Sequence, residues 1–489
     1  MDREAENAPL PQLWSTDGTP EGTQLISEID TRTWFDMGDD HLWAASGYIK
    51  QLIAGQDRLF FNVDVDFYDL EYSAITLWKS DGTAQRTVKM INHETNQPVF
   101  ASDLLQSVGD VTYFADNQPY WSDYLIYWDF GKLWRLNSDG EQRTLITDAL
   151  ASPSIAVFDG RVYFTTRDDV GLHLARTGED GNSVETLALL YPASDLGLGM
   201  EVTWVAGTTS LFFGIDGGES RDAKFGADLW RFSIAEHSTT KVYDLLTFHF
   251  GTHSMAAKDD LLYFVNGPAD NIELWRSDGT PEGTSLYRDL NPAGSSNPRL
   301  SQLFAGEIWF SATQGSSGFL FRTVGNDSVE KVDIDLPGAP GSQPRQFTTL
   351  KNGVTLFKES TYGQTYGIHA TRGTPETTTV SQLHFRACLS CYAEPLLPVG
   401  NGALLLNAAD ALLTYSYDGY GAALVKQFLW PASLTGYPVS RYSLAPLGEN
   451  AALFFAVEQN ADLSYSRKLW RTDGTGEGTV LVKTFALPI

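Results

Sequence analysis

The stretch LWRSDGTPEGTSLYRDL, residues 274–290, is the one from which the architecture is read. Leu274 and Trp275 open a short apolar run, and Ser277-Asp278-Gly279-Thr280 then turns the chain. Gly279 can take the positive φ that such a turn needs, and the Asp278 side chain can accept hydrogen bonds from the amides just ahead. A second run with strand-like alternation follows, so the stretch reads as a β-hairpin around an Asp-Gly signal. The same pattern starts at Leu13, Leu77 and Leu469, with weaker copies from Leu133, Phe321 and Ile368. Its tryptophan is expected to pack against a neighbouring sheet. One hairpin cannot bury such a face alone, so the copies must stack as units of a repeat architecture.

A second element recurs more regularly. It is three apolar residues after a Gly or Asp, ending at Phe61, Phe114, Phe164, Phe213, Phe264, Phe310, Phe357, Leu406 and Phe455, at intervals of 46 to 53 residues. Each follows another apolar run and a turn, and each precedes the Trp hairpin or a degenerate form of it. The unit is therefore four strands: a before the turn, b the Leu-Tyr-Phe element, c with Leu-Trp, d after Asp-Gly-Thr. Four antiparallel strands per ~40–50 residues is the signature of a propeller blade. The expected fold is all-β, a single β-propeller with nine blades, eight and ten being the alternatives. Residues 1–12 read as an N-terminal tail and 13–489 as the propeller. Within it, 13–30 is a surplus c–d hairpin available for ring closure, and 47–489 holds the nine four-strand repeats. Residues 37–47 (MGDDHLWAASG) resemble 257–267 (AKDDLLYFVNG), which marks the start of the chain as irregular.

The 489 residues are 42% hydrophobic and 12% aromatic with 44 glycines, enough for a large all-β core. The net charge of −27 excludes nucleic acid and anionic membrane as natural partners, because phosphate binding needs a basic surface. No run of ~18 apolar residues is present to form a transmembrane helix. The first twelve residues, MDREAENAPLPQ, lack an apolar signal core, so an exported protein would have its signal outside this chain. The two cysteines, Cys388 and Cys391 in RACLSCYAE, have no βαβ context for a thioredoxin-like role. A local disulfide in an oxidising compartment is expected, with free thiols and a redox or metal role as the alternatives.

The hairpin resembles the ELWxSDGTxxGTxLVKDI repeats of bacterial secreted and surface proteins, a β-propeller family. The likeness spans nearly the whole chain and is strongest at the copies from Leu13, Leu77, Leu274 and Leu469. It implies a bacterial, exported protein, extracellular, cell-surface or periplasmic. It carries over no catalytic residue.

The Asp-Gly-Thr turns are alike, so function is expected in the variable b–c and d–a connections on the opposite side. In the first unit, Asp64, Asp66, Asp69 and Glu71 can offer oxygen ligands to Ca²⁺, although their spacing is not that of an EF-hand; a solvated acidic loop is the plainer reading. In the second, residues 115–132 hold Tyr120, Trp121, Tyr124, Tyr127, Trp128 and Phe130, interleaved with acids. So many aromatics form either a loop core or extended hairpin, or a platform for a sugar ring or partner protein. His93, His249, His253 and His384 lie in d–a connections and read as separate loop histidines. Gly-x-Ser-x-Gly, phosphate-loop and His-Glu-x-x-His motifs are missing. The expected function is a non-catalytic binding or assembly module of the bacterial envelope, offering an acidic, aromatic loop face to a protein partner or a glycan. The alternatives are a structural surface protein stiffened by Ca²⁺, and a polysaccharide-acting enzyme using Asp/Glu in the propeller funnel.

Overall fold

The computed structural model describes residues 10–31, 33–36, 41–55, 57–67, 73–92, 97–101, 105–122, 125–137, 143–196, 200–216, 227–246, 254–304, 306–315, 317–332, 343–360, 365–372, 374–386, 397–400, 402–407, 411–415, 422–427, 444–460 and 464–486. The protein is all-β and of the β-propeller class: eight four-stranded sheets in the order a–b–c–d, and one five-stranded sheet. Two compact units are present, Met1–Ser15 with Gln24–Asp244 and Thr16–Thr23 with Leu245–Ile489.

In the first unit, blade 1 is the five-stranded sheet Thr33–Asp36, His41–Ala54, Leu59–Phe67, Ser73–Ser80 and Val88–Lys89. Strands a–d of blade 2 are Leu105–Val108, Val111–Ser122, Leu125–Leu136 and Arg143–Thr147. Those of blade 3 are Ala156–Phe158, Arg161–Arg167, Gly171–Thr177 and Val184–Pro192. Blade 4 has Glu201–Ala206, Ser210–Asp216, Ala227–Ser233 and Ser238–Leu245. In the second unit, blade 5 is Met255–Lys258, Leu261–Asn266, Glu273–Ser277 and Ser285–Arg288. Blade 6 is Arg299–Phe304, Glu307–Gln314, Ser317–Val324 and Ser328–Val332. Blades 7, 8 and 9 repeat the pattern from Gln343–Thr349, Leu397–Val399 and Ala445–Leu447. The N-terminal copy stands as a two-stranded hairpin, Gln12–Ser15 with Gln24–Glu28. The irregular start resolves as an extra strand, because Thr33–Asp36 pairs with the leading part of the long strand a of blade 1.

The Asp-Gly-Thr turn is built the same way in its three full copies. In residues 277–284 the Asp278 carboxylate accepts from the Thr280 amide at 2.9 Å and the Thr280 hydroxyl at 2.7 Å, while Ser277 and Thr284 hydroxyls pair at 2.7 Å. Gly279 sits at φ 90°, open to glycine at little cost. Gly283 is required for a different reason: a Cβ there would lie 2.1 Å from an Asp278 carboxylate oxygen.

Strand c packs differently from expectation. The leucine of Leu-Trp is the constant core residue, with Leu77, Leu133, Leu229 and Leu274 fully buried, whereas the tryptophan joins the core only at Trp78 and Trp230 among these copies. Trp14, Trp134, Trp275 and Trp470 are half-buried. The reason is a register shift in the c–d ladder at the Leu-Trp step of blades 2, 5 and 9 and of the N-terminal hairpin. This bulge re-aims the indole toward the outer strand, opposite Leu145, Leu286, Leu481 and Leu25. The aromatic mass of the core comes from strand b instead, with Phe61, Phe114, Phe164 and Phe213 fully buried, each contributing about 2–3 kcal/mol by leaving water.

Candidate functional site

The site favoured by the sequence lies in blade 2. Its strands b and c are each 12 residues long, whereas strands b and c of blade 3 have 7. Strand a pairs with Val111 to Phe114 and strand d with Leu133 to Leu136, so neither reaches the far part of the hairpin. Beyond a bulge between Asp116 and Gln118, strands b and c continue alone from Gln118↔Asp129 to Ser122↔Leu125. The described residues of 115–132 are thus a two-stranded ribbon. Its register sets Tyr120 opposite Tyr127, Trp121 opposite Ile126 and Pro119 opposite Trp128. In an antiparallel ladder, positions 119, 121, 126 and 128 share one face, and 120 and 127 share the other. Aromatic positions therefore fall on both faces. Phe130 lies in strand c within the bulged step, and Tyr124 lies outside the described residues. At the base of the ribbon, Asp116 is buried and accepts from the Trp134 indole at 3.2 Å.

Of the acidic set proposed for Ca²⁺, Asp64 is buried on strand b of blade 1. It accepts from the Tyr48 hydroxyl at 3.1 Å and faces the Lys50 ammonium at 3.5 Å, so a cationic group already neighbours it. Asp66 is in the same strand, and Asp69 and Glu71 lie outside the described residues. Cys388, Cys391, His93, His249 and His253 also lie outside them, and His384 is in strand d of blade 7. Among the described residues no group of three or more His, Cys, Asp or Glu side chains could hold a metal ion. Among them, too, no helix is long and apolar enough to cross a membrane.

Two features escaped the sequence reading. The first is the acid immediately before Leu-Trp. Glu273 is fully buried and accepts from the Leu290 and Ser296 amides, each at 2.8 Å, and from the Ser296 hydroxyl at 2.6 Å, so it fastens the connection from blade 5 to blade 6. In blade 4 the shorter Asp228 holds Tyr191 of blade 3 through its hydroxyl and Lys241 at 2.8 Å. Burial and the neighbouring Asp228 push the Tyr191 phenol up, and burial raises Asp228 against the pull of Lys241. Both acids are spent on packing. The second feature is an arginine in strand c, in register with the middle residue of strand b: Tyr113↔Arg135, Tyr163↔Arg176, Phe212↔Arg231, Tyr263↔Arg276 and Trp309↔Arg322, with a tryptophan before it in blades 2, 4 and 5. The recurrence LWR and FR in the sequence was the available signal for it.

These blades define a propeller-class protein, in which strands b and c of blade 2 continue into a two-stranded hairpin at aromatic positions. No family model matches the chain, and no curated protein matches it. Among solved structures, dipeptidyl peptidase 4 of Porphyromonas gingivalis is similar at 10% identity and TM-score 0.41 over 86% of this chain and 64% of that one. The β-propeller domain of the Trilobed protease from Pyrococcus furiosus is similar at 8% identity and TM-score 0.33, over 71% of this chain and 99% of that one. A prolyl endopeptidase is similar at 12% identity and TM-score 0.35 over 69% of this chain, and the match spans 50% of its own length.

Proposed function

We propose that the protein is a non-catalytic binding or assembly module of the bacterial envelope, and that the blade 2 ribbon makes the contact with a protein partner or a glycan. The ribbon carries this reading. A lone two-stranded hairpin is marginal in water, and aromatic positions on both of its faces gain most when a partner covers them. Tyr120, Trp121, Tyr124, Tyr127, Trp128 and Phe130 are the contact residues in this reading. The wild-type chain and a Trp121→Ala/Trp128→Ala variant are to be compared on a glycan array and in pull-downs from envelope extract. The variant is expected to lose at least about tenfold in binding, the scale of removing central aromatic anchors. Equal binding by the two proteins would overturn the assignment.

A further inference from the structure

The recurring arginine of strand c has an ionic partner in four of these five register pairs, Arg231 meeting Glu236 of its own c–d turn at 3.4 Å. In blades 3 and 6 strand d places a glutamate beside it: Arg176 meets Glu185 at 2.9 Å and Arg322 meets Glu330 at 2.7 Å. In blade 5 that position is Ser285, and Arg276 crosses instead to the c–d turn of blade 6, to the Asn326 carbonyl and to Asp327 at 3.2 Å. In blade 2 the position is Thr144, and among the described residues Arg135 has no such acid, its neighbour being the Tyr113 phenol. Its Nε is buried with no hydrogen-bond partner among the described residues. Where Arg276 bridges to the next blade, Arg135 borders an open groove of about 480 Å³ between blades 2 and 3.

The groove has two chemically distinct walls. Val108 and Val111 give an apolar side, and Tyr113 crosses the floor with its hydroxyl donating to the Gly181 carbonyl at 3.1 Å. The opposite side is the acidic turn of blade 3 with Asp159, Glu179 and Asp180. Glu179 is already engaged by Arg161 at 3.1 Å. Asp180 accepts from the Ser183 and Asn182 amides, which lower its pKa to about 2, so it is charged at neutral pH. A guanidinium with no acid partner among the described residues, beside an apolar wall and facing fixed anions, matches a small zwitterion. We propose that this groove binds a short zwitterionic peptide or amino acid, with its carboxylate on Arg135, its ammonium toward Asp159 and Asp180, and an apolar side chain against Val108 and Val111. The volume falls within the usual range for small-molecule sites. The groove is at the end of blade 2 that bears the a–b and c–d turns, away from the ribbon tip, so the two assignments stand or fall separately.

The test is calorimetric titration of the full chain with the dipeptide valyl-valine and with N-acetyl-valyl-valine, which lacks the ammonium. Arg135→Gln removes the cation. Thr144→Glu, at an exposed position, gives Arg135 the intrablade partner that Arg176 and Arg322 have, and leaves the core untouched. Valyl-valine is expected to bind saturably. Both variants and the acetylated probe are expected to bind at least about tenfold more weakly, the scale of one charge-assisted hydrogen bond. Arg322→Gln is expected to bind like wild type. Absence of saturable heat up to roughly 10 mM peptide, or undiminished binding by Thr144→Glu, would overturn the proposal.

Discussion

At the scale of single residues, the Asp-Gly-Thr turn shows how a repeat tolerates change. Gly22, Gly283 and Gly478 all sit where a Cβ would meet the turn's own aspartate within about 2.1 Å of Oδ1. In the copy at residues 81–87 that slot is Arg86, and the turn adapts. The short 3₁₀ helix Ala84–Arg86 forms, and the Arg86 amide donates to the Thr83 carbonyl at 3.3 Å instead of to the threonine hydroxyl used by Gly22, Gly283 and Gly478. Gly283→Ala should therefore shift its turn into the Arg86 form at a cost of about 1–2 kcal/mol, read as a lower midpoint in urea at unchanged slope. Combined with Asp278→Ala, which removes the clash, it should add almost nothing; full additivity would show that the clash is not the cause. The asparagine-free turn also has a pH signature. Hydrogen bonds from Thr19, Thr83 and Thr475 hold Asp17, Asp81 and Asp473 below the usual carboxylate range. Their contribution is present above the unfolded-state pKa and is lost as pH falls through the folded one.

At the scale of strands and sheets, the period was legible because it rests on burial. Strand b must fill the interior in every blade, so Phe61, Phe114, Phe164, Phe213, Phe264, Phe310 and Phe357 keep the spacing visible. The Trp signal decays because its position accepts side chains of different sizes: Ala175, Phe321 and His369 are buried there just as Trp78 and Trp230 are. In register with those phenylalanines, Ala175, Phe321 and His369 stand where Trp78, Trp230 and Trp275 stand elsewhere. In blade 9 the register partner of Trp470 is Phe454, so the aligned residue lies one position before Phe455. The ribbon was less legible. Its aromatic content showed in the sequence, but with no turn signal in the run, strand and loop were indistinguishable there. The Arg135 groove was invisible, since it depends on which acid each neighbouring strand or blade supplies. Contacts between successive blades carry their own prediction. Lys258 on strand a of blade 5 reaches Glu307 of blade 6 at 2.7 Å and the Gly325 carbonyl at 2.9 Å. Burial disfavours the Glu307 carboxylate, but Lys258, Thr323 and the Gly325 amide outweigh it and hold its pKa down. Lys258→Met should cost about 2–3 kcal/mol, just under the range for stripping one partner from a fully buried pair. With the carboxylate's main partner gone, the Lys258→Met protein should lose less stability than wild type on acidification below pH ~4.5, because less of its stability is linked to Glu307 ionisation. Parallel acid limbs in the two stability curves would refute that linkage.

At the scale of the whole chain, charge sets the terms. A net −27 over 489 residues makes like-charge repulsion a standing cost of the folded state, and at low ionic strength that repulsion acts over roughly 30 Å. Added NaCl should therefore raise the melting temperature by screening. Calcium would do the same for a trivial reason, so the structural Ca²⁺ reading has to be tested at matched ionic strength. A cation bound by the native state alone adds RT ln(1 + [L]/Kd), about 2.7 kcal/mol at a hundredfold excess over Kd, beyond any screening. The one member of the acidic set whose side chain is placed, Asp64, is buried beside Lys50 and under the Tyr48 hydroxyl. A divalent ion there would have to displace an ammonium already close to the carboxylate, and it would gain correspondingly less. The expected outcome is that CaCl₂ and NaCl melting curves coincide at equal ionic strength. A Ca²⁺-specific rise that persists in Lys50→Met and vanishes in Asp64→Asn would reverse this and place the cation in the acidic set of blade 1.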